Sequence, residues 1–412
     1  MNEDKQCIII GASHAGVNCA FALRRQGWKG NIMLLDKDPV RPYHRPPLSK
    51  AFLSSDDPID TYQLKSAESY QKEKIDLKLG VAVNKINREH QNITLDDGSN
   101  LAYDKLVLAI GAQPKVPPIP GVQIAQNLFT LRTAYDAVSI RQTLQTTTSK
   151  RVVVIGGGYI GLEVAASLKK LGAQVTVIER ESRVLARVTA PEMSAFFEEL
   201  HTRNGVKILK NKHIVAIETS GPENEIQCAD GSSFLADLII LGVGIRVNTS
   251  LAEQAGLRIE NGIRVDRSAR TNDENIYAIG DCSFHHNPHY NRMVRLESVQ
   301  NAVDQAKVAA AAICGKDITY NTIPWFWSDQ YDVKLQMVGL SEGYQEAFVR
   351  KELDAGHKWS VWYFAQEHLL AVDAINHAKA YMLGTKVLKK GITIDKTKLV
   401  DPNTTLKSLL AQ

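Results

Sequence analysis

RVVVIGGGYIGLEVAASLKKLGAQVTVIER, residues 151–180, opens with a β-branched run of the kind buried on both faces of a parallel sheet. Gly156, Gly158 and Gly161 follow in the spacing G-x-G-x-x-G, residues 162–171 read as a helix, and a second apolar run closes on Glu179. Strand, tight turn, helix and strand in this order form the unit that seats a dinucleotide. The first glycine permits the turn, the second lets a pyrophosphate approach the backbone, and the third lets the helix pack on the strand. The helix N-terminus adds unpaired N–H groups and the positive end of its dipole. Glu179 can accept bonds from both ribose hydroxyls and would repel a 2′-phosphate, which favours NADH; Arg180 and Arg183 just beyond it keep NADPH open as the lesser alternative.

The same arrangement, in weaker form, begins the chain. CIII, residues 7–10, runs into Gly11-Ala-Ser13-His-Ala15-Gly16, then a helical stretch to residue 26, then NIMLLDKD at 31–38. Ser13 stands where the second glycine usually is, and a small residue there still allows close backbone approach. Asp36 or Asp38 is the candidate for the ribose hydroxyls, and spacing alone does not choose between them. Two dinucleotide units in one chain are most economically explained by FAD and a nicotinamide cofactor exchanging hydride.

Composition narrows the rest. The 412 residues suggest two or three domains, and 44% hydrophobic with 23% charged residues is ordinary for a globular protein. A net charge of +4 with no long Lys/Arg run argues against nucleic acid, though it suits an acidic protein partner. The polar start followed by a strand-length apolar run is not a secretory signal, and no apolar stretch reaches spanning length, so no membrane is expected and the expected location is cytoplasmic. Cys7, Cys19, Cys228, Cys282 and Cys314 are scattered without a CxxC and read as reduced thiols. His285, His286 and His289 in FHHNPHY lack a cysteine or carboxylate to complete a metal set and read as a surface loop. Ser49 and Ser298 have no hydrolase context.

Further segments carry a family resemblance. LAYDKLVLAIGAQP at 101–114 and TNDENIYAIGDCS at 271–283 resemble the two FAD-domain signatures of the glutathione-reductase-like flavoproteins. RPPLSK at 45–50 occupies the region where disulfide reductases carry a Cys-x4-Cys, and it has no cysteine. With RLESVQNA at 295–302 and PWFWSDQ at 324–330, the chain is similar to the FAD-containing ferredoxin reductases that feed oxygenases. The likeness runs from Cys7 to about Ser341 and is looser beyond; Ser13 and His44 depart from the pattern.

That resemblance implies an α/β fold with two Rossmann-like domains and a C-terminal α+β domain. The FAD domain is expected at 1–113 and 245–320, the NAD domain at 114–244, and the α+β domain at 321–412. It assigns Gly11, Ser13, Ala15, Gly16, Asp36, Asp38, Arg45, Pro46, Lys50, Val83, Ala109, Gly111, Arg132, Asp281, Ser298, Val299 and Trp327 to FAD. It assigns Gly156, Gly158, Tyr159, Ile160, Gly161, Glu163, Glu179 and Gly244 to NAD. Lys50 would sit by the flavin N5 and pair with Glu163, and Trp327 would cover the flavin edge facing the partner. The implied reaction passes electrons from NADH through FAD, one at a time, to a small [2Fe–2S] ferredoxin of acidic character. Arg292, Arg295, Lys334 and the stretch Lys386–Lys398 are its candidate contacts. A monomer is the expected state. The alternatives are a reductase of rubredoxin, monodehydroascorbate radical or quinone, and a redox sensor resembling apoptosis-inducing factor.

Overall fold

The computed structural model describes residues 4–221, 223–353 and 358–410. Residues 1–3 of the polar start lie outside the described residues. The chain divides into two compact units, the first of residues 1–45, 58–113 and 246–324, the second of residues 46–57, 114–245 and 325–412. Residues 46–57, which the sequence division groups with the FAD domain, thus pack within the second unit. The expected NAD and α+β portions fall in one unit rather than two.

The first unit is built on a five-stranded parallel sheet in the order Ile276–Ala278, Lys105–Leu108, Gln6–Ile10, Asn31–Asp36, Ile75–Leu79. Alternation along the strand Gln6–Ile10 shows why it is apolar from Cys7 onward. Cys7 and Ile9 face a core shared with the helices His14–Gln26 and Val299–Ile313. Ile8 and Ile10 face a second core with Ile86, Ile93 and Leu95 of an antiparallel three-stranded sheet. Both faces are covered, so neither can carry a polar residue.

The second unit repeats the plan: Lys207–Leu209, Gln174–Ile178, Arg151–Ile155, Leu238–Leu241 and Leu128–Phe129 form a parallel sheet. Its C-terminal part is an antiparallel sheet in the order Trp325–Gln330, Val333–Gly339, His368–Ile375, Trp359–Ala365, Glu346–Lys351, followed by the helix Ala378–Lys390. The strand Trp325–Gln330 coincides with the segment PWFWSDQ quoted above.

The histidine-rich stretch is not the expected surface loop. Ser283–Asn287 is a strand paired with Arg292–Val294, and Ser283, His285 and Asn287 all point inward. Pro288 therefore marks the turn of a hairpin. Among the described residues no cluster could hold a metal ion, and no helix is long and apolar enough to cross a membrane.

Candidate functional site

Both glycine turns are shaped by the same physical demands. Gly156 sits at φ +108°, where an L side chain is strained, and a Cβ on it would stand 2.5 Å from the Gly242 carbonyl oxygen. A Cβ on Gly161 would stand 2.1 Å from the Gly156 oxygen, so the helix could not approach its strand. Gly11 and Gly16 meet the same obstacles, against the carbonyl oxygens of Ala109 and Gly11 respectively. The middle position differs. Gly158 has φ −79° and Ser13 φ −97°, both open to any residue, and a Cβ on Gly158 meets nothing within 4 Å. Ser13 is therefore a conformationally neutral departure from the motif.

Helices begin immediately after those residues, at His14 and Tyr159; Ser13 Oγ does not bond the first turn, and Gly158 has no side chain to do so. That leaves the first-turn N–H groups without a side-chain cap, which suits a pyrophosphate. The acid closing the second strand behaves alike in both units. Glu179 accepts the Gly157 N–H at 2.6 Å and the Glu181 N–H at 2.8 Å. Asp36 accepts the Ala12 N–H at 2.5 Å and the Asp38 N–H at 2.9 Å. This internal parallel separates the two acids that spacing left open: Asp36 is the counterpart of Glu179. Asp38 instead accepts from the Tyr43 hydroxyl at 3.0 Å and lies 3.8 Å from Arg45, whose Nε reaches Ser13 Oγ at 3.5 Å. A guanidinium thus stands at the mouth of the first glycine turn.

Around that turn the first unit collects several more of the expected residues. Gly280 packs its α-carbon so closely on Ala15 that a Cβ there would stand 3.1 Å away, and its N–H donates to Gln305 at 2.7 Å. This sets the position of Asp281 on the short turn Gly280–Cys282. Ser298 caps the helix Val299–Ile313 by accepting the Asn301 N–H at 3.1 Å. Ala109 backs Gly11, Gly111 takes φ +58°, and Val83 packs on the sheet core rather than at the turn.

The second unit holds the chemically distinctive group. Glu163, on the helix after the second glycine turn, is 1% exposed. Its Oε2 accepts from Lys50 Nζ at 2.6 Å and from Ser49 Oγ at 2.5 Å, and its Oε1 accepts from Ser328 Oγ at 2.6 Å. One cation and two hydroxyl donors leave both oxygens of this buried carboxylate hydrogen-bonded. Ser167 Oγ donates to the Ser49 carbonyl at 2.8 Å and so ties the RPPLSK segment to the same helix. Trp327, half-buried, neighbours Ser328 on the strand Trp325–Gln330 and lies 5.6 Å from the Trp325 ring. Tyr159 turns its hydroxyl to Met337 Sδ at 2.8 Å, which places it as a tie to the C-terminal sheet, while Ile160 stays 47% exposed at the helix start. Gly244 takes φ +97° and accepts the Lys115 N–H, and the Arg132 N–H donates to Asp136 just before the helix Ala134–Thr146.

Two further observations bear on the chemistry. Arg183 donates to the Thr189 and Ala186 carbonyls and to Ser194 Oγ, and Arg180 pairs with Glu181 at 3.0 Å. Arg183, held by its own loop, is not a free phosphate ligand. The cysteines are unpaired thiols; burial pushes Cys282 up to about 11 and Cys19 up to about 12, so neither is a ready thiolate. The partner-facing candidates are mixed: Lys334 is exposed, whereas Arg295 is paired with Glu297 at 2.7 Å and Lys396 with Glu346. Ser49, Ser328 and Gln330 lie inside the RPPLSK and PWFWSDQ segments without having been given a role there, and His201 comes from a distant segment without a local signature.

Comparison with known proteins follows the same lines. Residues 5–306 match the family described as pyridine nucleotide-disulphide oxidoreductase, and residues 325–410 match the reductase C-terminal family. Putidaredoxin reductase of Pseudomonas putida is 42% identical, with 100% of this chain and 98% of that protein covered. Rhodocoxin reductase of Rhodococcus erythropolis is 39% identical, covering 98% and 94%. A chain in the crystal structure of the covalent putidaredoxin reductase–putidaredoxin complex superposes with a TM-score of 0.94 at 41% identity, covering 100% and 99%.

Proposed function

Because this chain belongs to the pyridine nucleotide-disulphide oxidoreductase family, in which FAD and NAD(P)H are the working cofactors, we propose that it is an NADH-dependent ferredoxin reductase of an oxygenase system. The observation that carries the reading is the buried Glu163–Lys50 pair at a dinucleotide motif in a chain with no redox-active cysteine pair. Bound FAD would supply the exchange between a two-electron hydride donor and one-electron acceptors.

The chain's own residues do the rest. In the first unit, the helix start after Ser13, with Arg45 beside it, offers N–H groups and a cation to a pyrophosphate. Asp36 offers a carboxylate to a ribose, and Asp281 a second to the ribitol hydroxyls. In the second unit, the turn 156–161 and Glu179 hold NADH. A 2′-phosphate would meet the Glu179 carboxylate with Arg183 already engaged, which disfavours NADPH. Lys50 would offer a fixed positive charge to the bound ring, and Glu163 fixes the ammonium in place. Trp327 would cover the ring edge, and a [2Fe–2S] ferredoxin of acidic character would meet exposed basic residues such as Lys334, whose charge would raise the rate of encounter.

Anaerobic stopped-flow mixing tests this. NADH should bleach the flavin within the instrument's time range, and the reduced protein should then reduce a [2Fe–2S] ferredoxin one electron at a time. Fast bleaching with transfer only to rubredoxin or quinone would replace the partner, and bleaching over minutes would replace the enzyme with a sensor.

A further inference from the structure

Glu163 is the end of a longer structure. Ser328 Oγ, which donates to Glu163 at 2.6 Å, accepts from Gln330 Nε2 at 3.1 Å. Gln330 Oε1 lies 2.8 Å from His201 Nε2, and His201 Nδ1 lies 3.3 Å from the Tyr331 hydroxyl. Ser328, Gln330 and His201 are at most 1% exposed. All belong to the second unit.

The direction of every bond follows from its end. A carboxylate only accepts, so the single Ser328 proton must point at Glu163. Ser328 Oγ must then accept from the Gln330 amide nitrogen, which turns the Gln330 carbonyl toward His201. His201 must therefore carry its proton on Nε2 and accept at Nδ1 from Tyr331. Burial lowers the His201 pKa, in keeping with a neutral ring. Tyr331 itself is held at φ +56°, a conformation bulky residues seldom adopt, in the turn between Trp325–Gln330 and Val333–Gly339. Its ring meets the His201 ring edge-on at 5.1 Å.

We propose that Ser328, Gln330 and His201 are positioning residues, a one-way chain of hydrogen-bond donors that fixes Glu163 as the acceptor for Lys50 during hydride transfer. The chain assigns one oxygen of Glu163 to Ser328 and reserves the other for Lys50 and Ser49, so the ammonium has one place to stand. The catalytic use rests on the reductase reading; the chain's polarity does not.

The test is 15N NMR of histidine-labelled holoprotein, with the His201 signals identified by their loss in His201→Gln. The wild type should show a neutral ring protonated on Nε2 at neutral pH; an Nδ1-protonated or charged ring overturns the proposal. Glu163→Gln should move His201 toward the Nδ1–H form, because its carboxamide keeps the carbonyl on Lys50 and presents N–H to Ser328, reversing each bond in turn. An unmoved tautomer overturns the coupling. Should that variant not fold, Gln330→Met cuts the chain and should abolish the Nε2–H preference, and its persistence is equally adverse. In stopped flow, Gln330→Met and Ser328→Ala should slow the limiting rate of bleaching by about fivefold, the worth of one net hydrogen bond, with NADH affinity unchanged. Ser328→Thr should restore it; equal rates in Ser328→Ala and Ser328→Thr overturn the positioning role. A wild type that NADH never bleaches sinks the reductase reading and leaves the tautomer result standing.

Discussion

Replacing Lys50 with Met removes the cation bonded to a carboxylate that is itself almost fully enclosed. The Lys50 side chain is 17% exposed and that of Glu163 0%, so the loss strands a buried charge instead of weakening a surface pair. Breaking a buried pair from one side typically costs about 3–5 kcal/mol. Ser49 and Ser328 still donate to Glu163, which places the expected cost near the lower end, about 3 kcal/mol. For a unit of this size that corresponds to a midpoint lowered by roughly 6–12 °C. The assay is thermal unfolding followed by tryptophan fluorescence, run on Lys50→Met, Glu163→Gln and the double variant. Glu163→Gln removes the stranded charge, so the double variant should recover most of the loss. A Lys50→Met midpoint within about 1 °C of wild type, or a double variant no better than the single, would refute the view that the pair is buried and mutually dependent.

Other outcomes follow from the same geometry. Glu179→Ala should raise the KM for NADH about tenfold, the loss of a charge-assisted bond, and an unchanged KM would remove Glu179 from the ribose site. Gly156→Ala should abolish NADH-dependent bleaching, since its Cβ would stand 2.5 Å from the Gly242 oxygen at φ +108°; normal bleaching would mean the turn can relax. Asp373 is buried, accepts from Thr189 at 2.7 Å and Tyr363 at 2.6 Å, and burial raises it from 3.8 to about 6. A carboxyl raised on folding binds more protons in the folded state between those values, so its contribution falls as pH rises from about 4 to about 6 and is unfavourable above. The change is roughly 3 kcal/mol at most, and it should vanish from the pH profile of urea unfolding in Asp373→Asn; identical slopes would show that Asp373 titrates normally.

The parts legible in the sequence were those whose causes are local. A glycine turn between two apolar runs declares itself within thirty residues, and both turns, their helices and their closing acids lie where that pattern places them. Choosing Asp36 over Asp38 needed the structure, because only the backbone N–H of Ala12 distinguishes two acids two positions apart. FHHNPHY misled for a physical reason: its inward-facing residues, His285 and Asn287, are polar, so the alternation of a strand was hidden. The supports of Glu163 were only partly legible: Ser49, Ser328 and Gln330 lie in segments that carry the resemblance, but their bonds to Glu163, and the part played by His201, depend on segments brought together by folding alone.

The segment 46–57 has a consequence for synthesis. Lys50 leaves the ribosome long before Glu163, 113 residues later in the chain. At ordinary translation rates that interval is roughly 6–20 s. The strand Ile276–Ala278, which edges the first sheet beside Lys105–Leu108, is later still. Neither unit can therefore close as it emerges. The nascent chain must hold the strand Gln6–Ile10 and its neighbours unfinished until most of the protein exists, so the apolar faces of Cys7 to Ile10 stay uncovered for that period.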